Sequence, residues 1–170
     1  KEAVKWYRLA AEQGNAYAQN NLGVMYVYGD GVFQDYTEAA KWYRLAAEQG
    51  ETGAQIKLGY MYQQGIGVPR DFTEAMKWYR KAAEGGHYPS QGRLGHMYYT
   101  GDGVAKDRIE AFLWLSLAGQ HGIGSALTEL ENVVEEMSSE EKAAGAQLVE
   151  VWLAKTRGVA GPSTFSPVPG

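Results

Sequence analysis

The apolar residues of this chain recur at the spacing of one face of an α-helix. In the clearest segment the spacing i, i+3, i+4, i+7 is filled by Ala39, Trp42, Tyr43 and Ala46. This pattern predicts an amphipathic helix that buries a stripe of two aromatic rings and two small alanines. A similar stripe lies upstream, formed by Ala18, Leu22, Met25 and Tyr26. It predicts a second helix from about Asn15 to Tyr28.

The ten residues Lys41 to Gly50 reveal a period along the chain. The same ten residues stand 36 positions earlier, from Lys5 to Gly14, and eight of the ten return 36 positions later, from Lys77 to Gly86. A diverged fourth copy runs from Leu113 to Gly122. A fixed period in this range predicts a repeat protein in which each unit packs only on its neighbours.

The period divides the chain into units of two helices each. The expected division is 1–14 for the second helix of an incomplete repeat, 15–50, 51–86 and 87–122 for three full repeats, 123–157 for C-terminal capping helices, and 158–170 for a flexible tail. The tail is rich in Gly, Pro, Ser and Thr, and only Phe165 is a candidate to dock. The predicted fold is therefore all-α, a solenoid of stacked helix pairs.

Each full repeat carries the same local signals. Gly23 lies in the middle of a helix, where glycine costs about 1 kcal/mol, so its periodic recurrence predicts a close approach of two helices. Asp35 and Glu38 have the spacing of an N-cap whose partner carboxylate returns the hydrogen bond. Gly50 stands where a left-handed residue ends a helix.

These motifs together resemble the Sel1-like repeat, a relative of the tetratricopeptide repeat. The residues that carry the resemblance are Leu-Gly-x-Met-Tyr, then Gly-x-Gly-Val-x-x-Asp-x-x-Glu-Ala, then Lys-Trp-Tyr-Arg-x-Ala-Ala-Glu, at a 36-residue period over about residues 1–124. The resemblance implies antiparallel helix pairs in an α/α superhelix. It also implies a non-enzymatic role in holding other proteins, often in bacterial envelope, signalling or host-contact systems.

Composition narrows the classes of partner. The net charge of −4 argues against nucleic acid, which needs a basic surface. No apolar run is long enough to insert into a membrane. The chain opens inside a repeat, which suggests a fragment of a longer protein. The sequence does not choose between the bacterial envelope and the cytoplasm.

No motif predicts a cofactor, a metal or a catalytic centre. The Gly29-Asp30-Gly31 turn lacks the strand and the Gly-Lys-Ser/Thr of a phosphate loop. The three histidines are not at the i, i+4 spacing of a helical zinc pair, and His87 and His121 are expected to be solvated near turns. The Trp-Tyr pairs are interpreted as core rather than as an aromatic cage. The acidic C-terminal zone is interpreted as a solvated cap, with recruitment of a basic partner as the alternative.

The candidate binding surface is the concave side, which the first helix of each tetratricopeptide-like pair lines. The groove residues predicted from the helical register are Asn20, Val24, Val27, Ile56, Lys57, Tyr60, Gln63, Arg93, His96 and Tyr99. They vary from unit to unit while the apolar stripes stay fixed, although exposure alone also allows such variation. Tyr60 and Tyr99 are suited to anchoring a peptide, and Lys57 and Arg93 to meeting a carboxylate.

Three hypotheses follow for the function. The first is a module that binds a protein or peptide in the concave groove. The second is an enzyme that acts on cell-wall material, which would need a deep pocket with converging carboxylates. The third is self-association through the N-terminal face that carries Trp6 and Tyr7.

Overall fold

The computed structural model describes residues 2–159, and within them every regular element is an α-helix. The helices are α1 (Glu2–Glu12), α2 (Ala16–Tyr28), α3 (Tyr36–Glu48), α4 (Thr52–Gln64), α5 (Phe72–Glu84), α6 (Tyr88–Thr100), α7 (Arg108–Gln120), α8 (Gly124–Glu136) and α9 (Ser139–Val159). From α1 to α8 each helix packs on its neighbours in sequence, and α9 packs on α7. The prediction of an all-α repeat solenoid is confirmed.

The apolar stripes of the second helices form the core between repeats. Tyr43 and Trp78 are 3% and 1% exposed, respectively, and Trp114 is 1% exposed. Trp42 is half-buried against the cluster formed by α1 and α2. Trp6, which has no helix pair before it in the described part, is 70% exposed. The core interpretation of the Trp-Tyr pairs therefore holds for Trp42-Tyr43 and Trp78-Tyr79.

The Asp N-caps of the second helices form as predicted, but the reciprocal hydrogen bond from the Glu side chain does not form. The Asp35 carboxylate accepts the Glu38 amide at 3.1 Å, and Asp71 and Asp107 do the same one and two periods on. The predicted return bond from Glu38 is wrong. The Asp35 amide instead donates to the Tyr26 carbonyl at 2.9 Å, so it has no need of the Glu38 side chain.

Three buried glutamines join each first helix to the helix before it. The side-chain amides of Gln19, Gln55 and Gln91 donate to the carbonyls of Ala11, Ala47 and Ala83 at 3.1–3.2 Å. These carbonyls belong to the last turns of α1, α3 and α5, where a helix leaves acceptors without intrahelical partners. The glutamines stand 36 residues apart, so the period contained the signal, but the sequence analysis did not use it.

A second tie crosses each boundary between repeats. The Arg8 guanidinium donates to the Tyr26 hydroxyl at 2.6 Å. The same bond joins Arg44 to Tyr62 and Arg80 to Tyr98, again one and two periods on. These bonds fix the register of successive repeats, and hence the shape of the surface that the first helices present.

The last two helices cover the end of the stack, as the sequence predicted. Trp152 of α9 meets Trp114 of α7 edge to face, with ring centroids 5.0 Å apart. Arg108 pairs with Glu141 at 3.1 Å. The helix α9 ends at Val159, and the rest of the tail predicted for 158–170, Phe165 included, lies outside the described residues.

Candidate partner-binding cleft

An apolar cleft of about 660 Å³ lies on the side of the first helices. Its walls come from α2, α4 and the start of α6, and its floor includes Tyr43 and Tyr79 from the second helices. Most of the lining side chains are apolar or aromatic. The full lining is Val24, Val27, Tyr28, Tyr36, Tyr43, Ile56, Lys57, Tyr60, Met61, Ile66, Tyr79, His87, Pro89, Ser90 and Arg93.

The cleft brings together six of the ten residues predicted for the groove. These six are Val24, Val27, Ile56, Lys57, Tyr60 and Arg93. Asn20 and Gln63 lie at its edge and accept hydrogen bonds from Lys57 and Arg93, at 3.3 Å in each case. His96 and Tyr99 lie apart from the cleft, against α8.

His96 and Tyr99 contact the C-terminal cap instead. His96 Nδ1 lies 2.9 Å from a Glu129 carboxylate oxygen. The Tyr99 hydroxyl donates to Glu136 at 3.1 Å, and this bond raises the pKa of Tyr99. Helical register predicted both on the first-helix side of the stack, but α8, an element outside the repeat pattern, packs against α6 there.

Lys57 is partly buried beside the floor of the cleft. Its ammonium lies 5.5 Å from the centre of the Tyr43 ring and bonds to Asn20 Oδ1. Desolvation by burial lowers the pKa of Lys57, because the ammonium loses hydration, and attraction to Glu51 offsets this only in part.

Arg93 repeats this arrangement one unit further on. Its guanidinium lies 5.2 Å from the centre of the Tyr79 ring and donates to the Tyr79 hydroxyl at 3.0 Å. Burial raises the pKa of the Tyr79 phenol, and the nearby Arg93 charge counteracts that rise. Both tyrosines of the floor thus stay neutral at physiological pH, since burial raises the pKa of Tyr43 as well.

An aromatic rim that the sequence analysis missed borders the cleft at the first repeat. Tyr28 and Tyr36 are 77% and 42% exposed, and Gln34 donates to the Tyr36 hydroxyl at 3.1 Å. Their counterparts one unit on are Gln64 and Phe72. These positions therefore vary between repeats as the predicted groove residues do, but they lie at helix ends, outside the helical register that predicted the groove.

His87 also lines the cleft, and it is not the solvated turn residue that was predicted. Its Nδ1 accepts the Ser90 amide at 3.2 Å, so the imidazole is the N-cap of α6. Burial lowers the pKa of His87. His121 stacks on the Tyr88 ring with centroids 3.5 Å apart, so it too has a structural contact.

Carboxylates gather at a second depression, of about 790 Å³, between the third repeat and the cap. The Asp107 carboxylate caps α7, Glu136 accepts from Tyr99, and Glu141 pairs with Arg108. Each of these groups thus has a structural partner. The 660 Å³ cleft has no Asp or Glu among its lining residues, so the carboxylates that the cell-wall hypothesis requires do not converge there.

Within residues 2–159, no three His, Asp or Glu side chains stand close enough together to hold a metal ion. Over the same range, every helix is too short or too polar to cross a membrane.

Comparison with known proteins finds the same repeat. The Sel1 repeat family model matches residues 1–15, 16–51, 52–87 and 89–123. A search of curated proteins finds no match.

Solved structures with the same fold include two that are similar in sequence. A Sel1 repeat protein from Oxalobacter formigenes is 37% identical, with a TM-score of 0.73 over 91% of this chain and 63% of that one. The Escherichia coli protein c5321, a protective antigen of uropathogenic strains, is 30% identical, with a TM-score of 0.77 over 98% of this chain and 37% of that one. The chain thus spans less than two thirds of either protein.

A third structure, Helicobacter pylori cysteine rich protein B, supports the fold alone. It is 22% identical, with a TM-score of 0.58 over 76% of this chain and 92% of that one.

Proposed function

Because the chain belongs to the Sel1 repeat family, whose members generally mediate protein–protein interaction, we propose that it is a non-enzymatic binding module. The proposed ligand is an extended segment of a partner protein, held in the cleft between α2, α4 and α6. The family is typically made of non-catalytic scaffolds, which agrees with this role.

The observation that carries the proposal is the apolar cleft itself. Its volume lies in the range of about 300–1,000 Å³ typical of small-ligand sites, with few polar groups among many apolar ones. Tyr60, which is 48% exposed, stands on its wall and offers a large rigid contact with a polar tip. A peptide that covers this ring removes apolar surface from water without disturbing the core.

The test uses a displayed library of 12-residue peptides selected against the protein. The affinity of each selected peptide is measured by fluorescence anisotropy for the wild type, Tyr60→Ala and Tyr99→Ala. Loss of a central interface tyrosine costs roughly 1–2 kcal/mol or more, so Tyr60→Ala should weaken binding at least about fivefold.

Tyr99→Ala is the matched control, because Tyr99 is a first-helix tyrosine of the next repeat that bonds Glu136 instead of lining the cleft. Its binding should equal that of the wild type. Selected peptides that bind Tyr60→Ala as tightly as the wild type would disprove the assignment of the cleft.

A second candidate function is self-association through the N-terminal face. Trp6 and Leu9 are 70% and 51% exposed there, whereas Trp42, the counterpart of Trp6, is half-buried. We propose that a second copy covers this face. Sedimentation velocity between about 1 and 100 μM should then show dimerisation in the wild type and a monomer for Trp6→Glu, and a wild-type monomer at both ends of that range excludes it.

A further inference from the structure

Two cations stand at equivalent positions of successive repeats in a cleft that is otherwise mostly apolar. Lys57 and Arg93 are 36 residues apart, and each lies over the ring of an equivalent tyrosine, Tyr43 or Tyr79. The repeat therefore places two positive charges in the lining of the same cleft, on α4 and α6, the first helices of successive repeats.

The polar partners of both cations are neutral oxygens. The Lys57 ammonium has three N–H donors and bonds Asn20 Oδ1. Arg93 has five donors, and its Nη1 bonds the Gln63 amide oxygen and the Tyr79 hydroxyl. Both groups therefore keep donors that can bind a further acceptor.

Within residues 2–159, no carboxylate lies within 4.0 Å of either cation. Four basic residues on the neighbouring helices α3, α5 and α7 do have such partners, which are glutamates for Lys41, Lys77, Arg80 and Arg108. Glu51, the acidic residue that attracts Lys57, is engaged in capping α4 by accepting the Ala54 amide at 2.6 Å.

Lys57 is partly buried and Arg93 is exposed, and cations with free donors beside an apolar cleft favour an anion from outside the chain. Charge-assisted hydrogen bonds are shorter and roughly twice as strong as neutral ones, and they gain further where the surroundings are apolar. Resting on the proposed function, we infer that the bound segment carries an Asp or Glu side chain flanked by apolar residues, with its carboxylate held by Lys57 and Arg93.

The distribution of apolar groups favours an acidic side chain within the segment over a chain terminus. On the α2 side of the two cations lie Val24 and Val27, and at the start of α6 lies Pro89. A segment that places its carboxylate between α4 and α6 thus has apolar surface available on both sides. A terminal carboxylate would leave one of these surfaces uncovered.

The experiment uses the peptides selected from the displayed library and determines whether they contain acidic residues. The peptides enriched on the wild type should contain Asp or Glu with a neighbouring Phe, Tyr, Leu or Val. For the tightest of them, changing the acidic residue to its amide should weaken binding about 10- to 100-fold, the range for a hydrogen bond to a charged group. Amidation of the peptide C-terminus should leave the affinity unchanged.

Variants then assign the effect to the two cations. With Lys57→Met and Arg93→Gln combined, the acidic peptide and its amide should bind equally, both near the affinity of the amide for the wild type. Lys81→Met is the matched control, because Lys81 lies over an aromatic ring, 4.8 Å from Trp78, outside the cleft. It should keep the full preference for the acidic peptide. Circular dichroism checks that all three proteins are folded.

The outcomes separate this inference from the proposed function. Peptides that depend on Tyr60 but bind equally as acid and amide overturn the inference and leave the cleft assignment intact. The inference is also overturned if amidation of the peptide C-terminus weakens binding while changing the acidic side chain to its amide does not, because the bound group is then a terminal carboxylate. Failure of the library to yield any peptide that depends on Tyr60 overturns both.

Discussion

The phenol ring of Tyr43 lies against Gly23, so closely that a methyl group on Gly23 would stand 2.7 Å from ring atoms Cδ1 and Cε1. The glycine lies in the middle of α2, and the ring comes from α3 of the same repeat. The same pair recurs as Gly59 and Tyr79, where the corresponding distance is 3.0 Å. The periodic mid-helix glycine thus makes room for the tyrosine that forms the floor of the cleft.

Gly23→Ala is therefore expected to destabilise the protein despite favouring the helix. Alanine gains about 1 kcal/mol in helix propensity, but overpacking against a buried ring costs typically 1–3 kcal/mol. The net loss should be on the order of 1 kcal/mol, measured as a lower urea midpoint at unchanged slope.

Gly92→Ala is the matched control for this prediction. Gly92 also lies inside a first helix, but a methyl there would meet Ala118 Cβ at 3.5 Å, which is ordinary contact. Gly92→Ala should raise the free energy of unfolding by up to about 1 kcal/mol, from helix propensity alone. Equal effects of the two substitutions would contradict the account of the close approach.

The architecture was predictable from the sequence because it depends on a pattern that repeats. The stripe around Trp78 and the cap at Asp35 follow from spacing along one helix, and both are in place. The return bond of Glu38 failed because its partner amide is used by Tyr26, a residue of the preceding helix. A local motif does not reveal such competition.

The cleft was less predictable because it depends on which element covers which position. Helical register identified Lys57 and Arg93 as residues near the concave side. The same register included His96, which instead meets Glu129 of α8, an element outside the repeat pattern. Tyr28 and Tyr36 were missed because helix ends have no fixed direction until the neighbouring turn is known.

Gln55→Met should weaken the junction between α3 and α4. The substitution keeps the shape of the side chain but removes the bond from Nε2 to the Ala47 carbonyl at 3.2 Å. A buried hydrogen bond of this kind contributes about 1 kcal/mol. The urea midpoint should fall accordingly, and amide exchange should accelerate at the end of α3.

The control for Gln55→Met is Gln64→Met on the same helix. Gln64 is exposed at the end of α4, so its substitution should change stability by less than about 0.5 kcal/mol. A loss as large for Gln64→Met as for Gln55→Met would show that the buried amide has no special role.

His87 should make the stability of the protein depend on pH. Its neutral imidazole accepts the Ser90 amide, and burial lowers its pKa below the ordinary value of 6.5. As the pH falls below 6.5, the unfolded chain takes up a proton that the folded chain resists. The contribution of His87 to stability is therefore complete above pH 6.5 and declines as the pH falls below 6.5. It levels off only below the lowered pKa that His87 has in the folded state.

His87→Asn tests this prediction, because asparagine caps a helix well and does not titrate in this range. Urea midpoints between pH 7.5 and 5 should fall less steeply for His87→Asn than for the wild type. His121→Gln keeps the capping imidazole and should retain the contribution of His87 to the slope. Identical slopes for the wild type and His87→Asn would contradict the prediction.

Trp152→Ala should loosen the C-terminal end of the stack without reaching the N-terminal repeats. The substitution removes the ring that meets Trp114 edge to face, and removing a tryptophan from a packed site costs typically 3–5 kcal/mol. Since Trp152 is only half-buried, a loss of about 2–3 kcal/mol is expected. Each repeat contacts only its neighbours, so amide exchange should accelerate in α7 to α9 and stay unchanged in α2 to α4.

Val151→Ala is the control, because Val151 is a neighbouring residue that is 58% exposed. It should leave amide exchange in both regions as in the wild type. Uniform acceleration of exchange from α2 to α9 in Trp152→Ala would contradict the prediction, because the stack would then unfold as one cooperative unit that the cap stabilises as a whole.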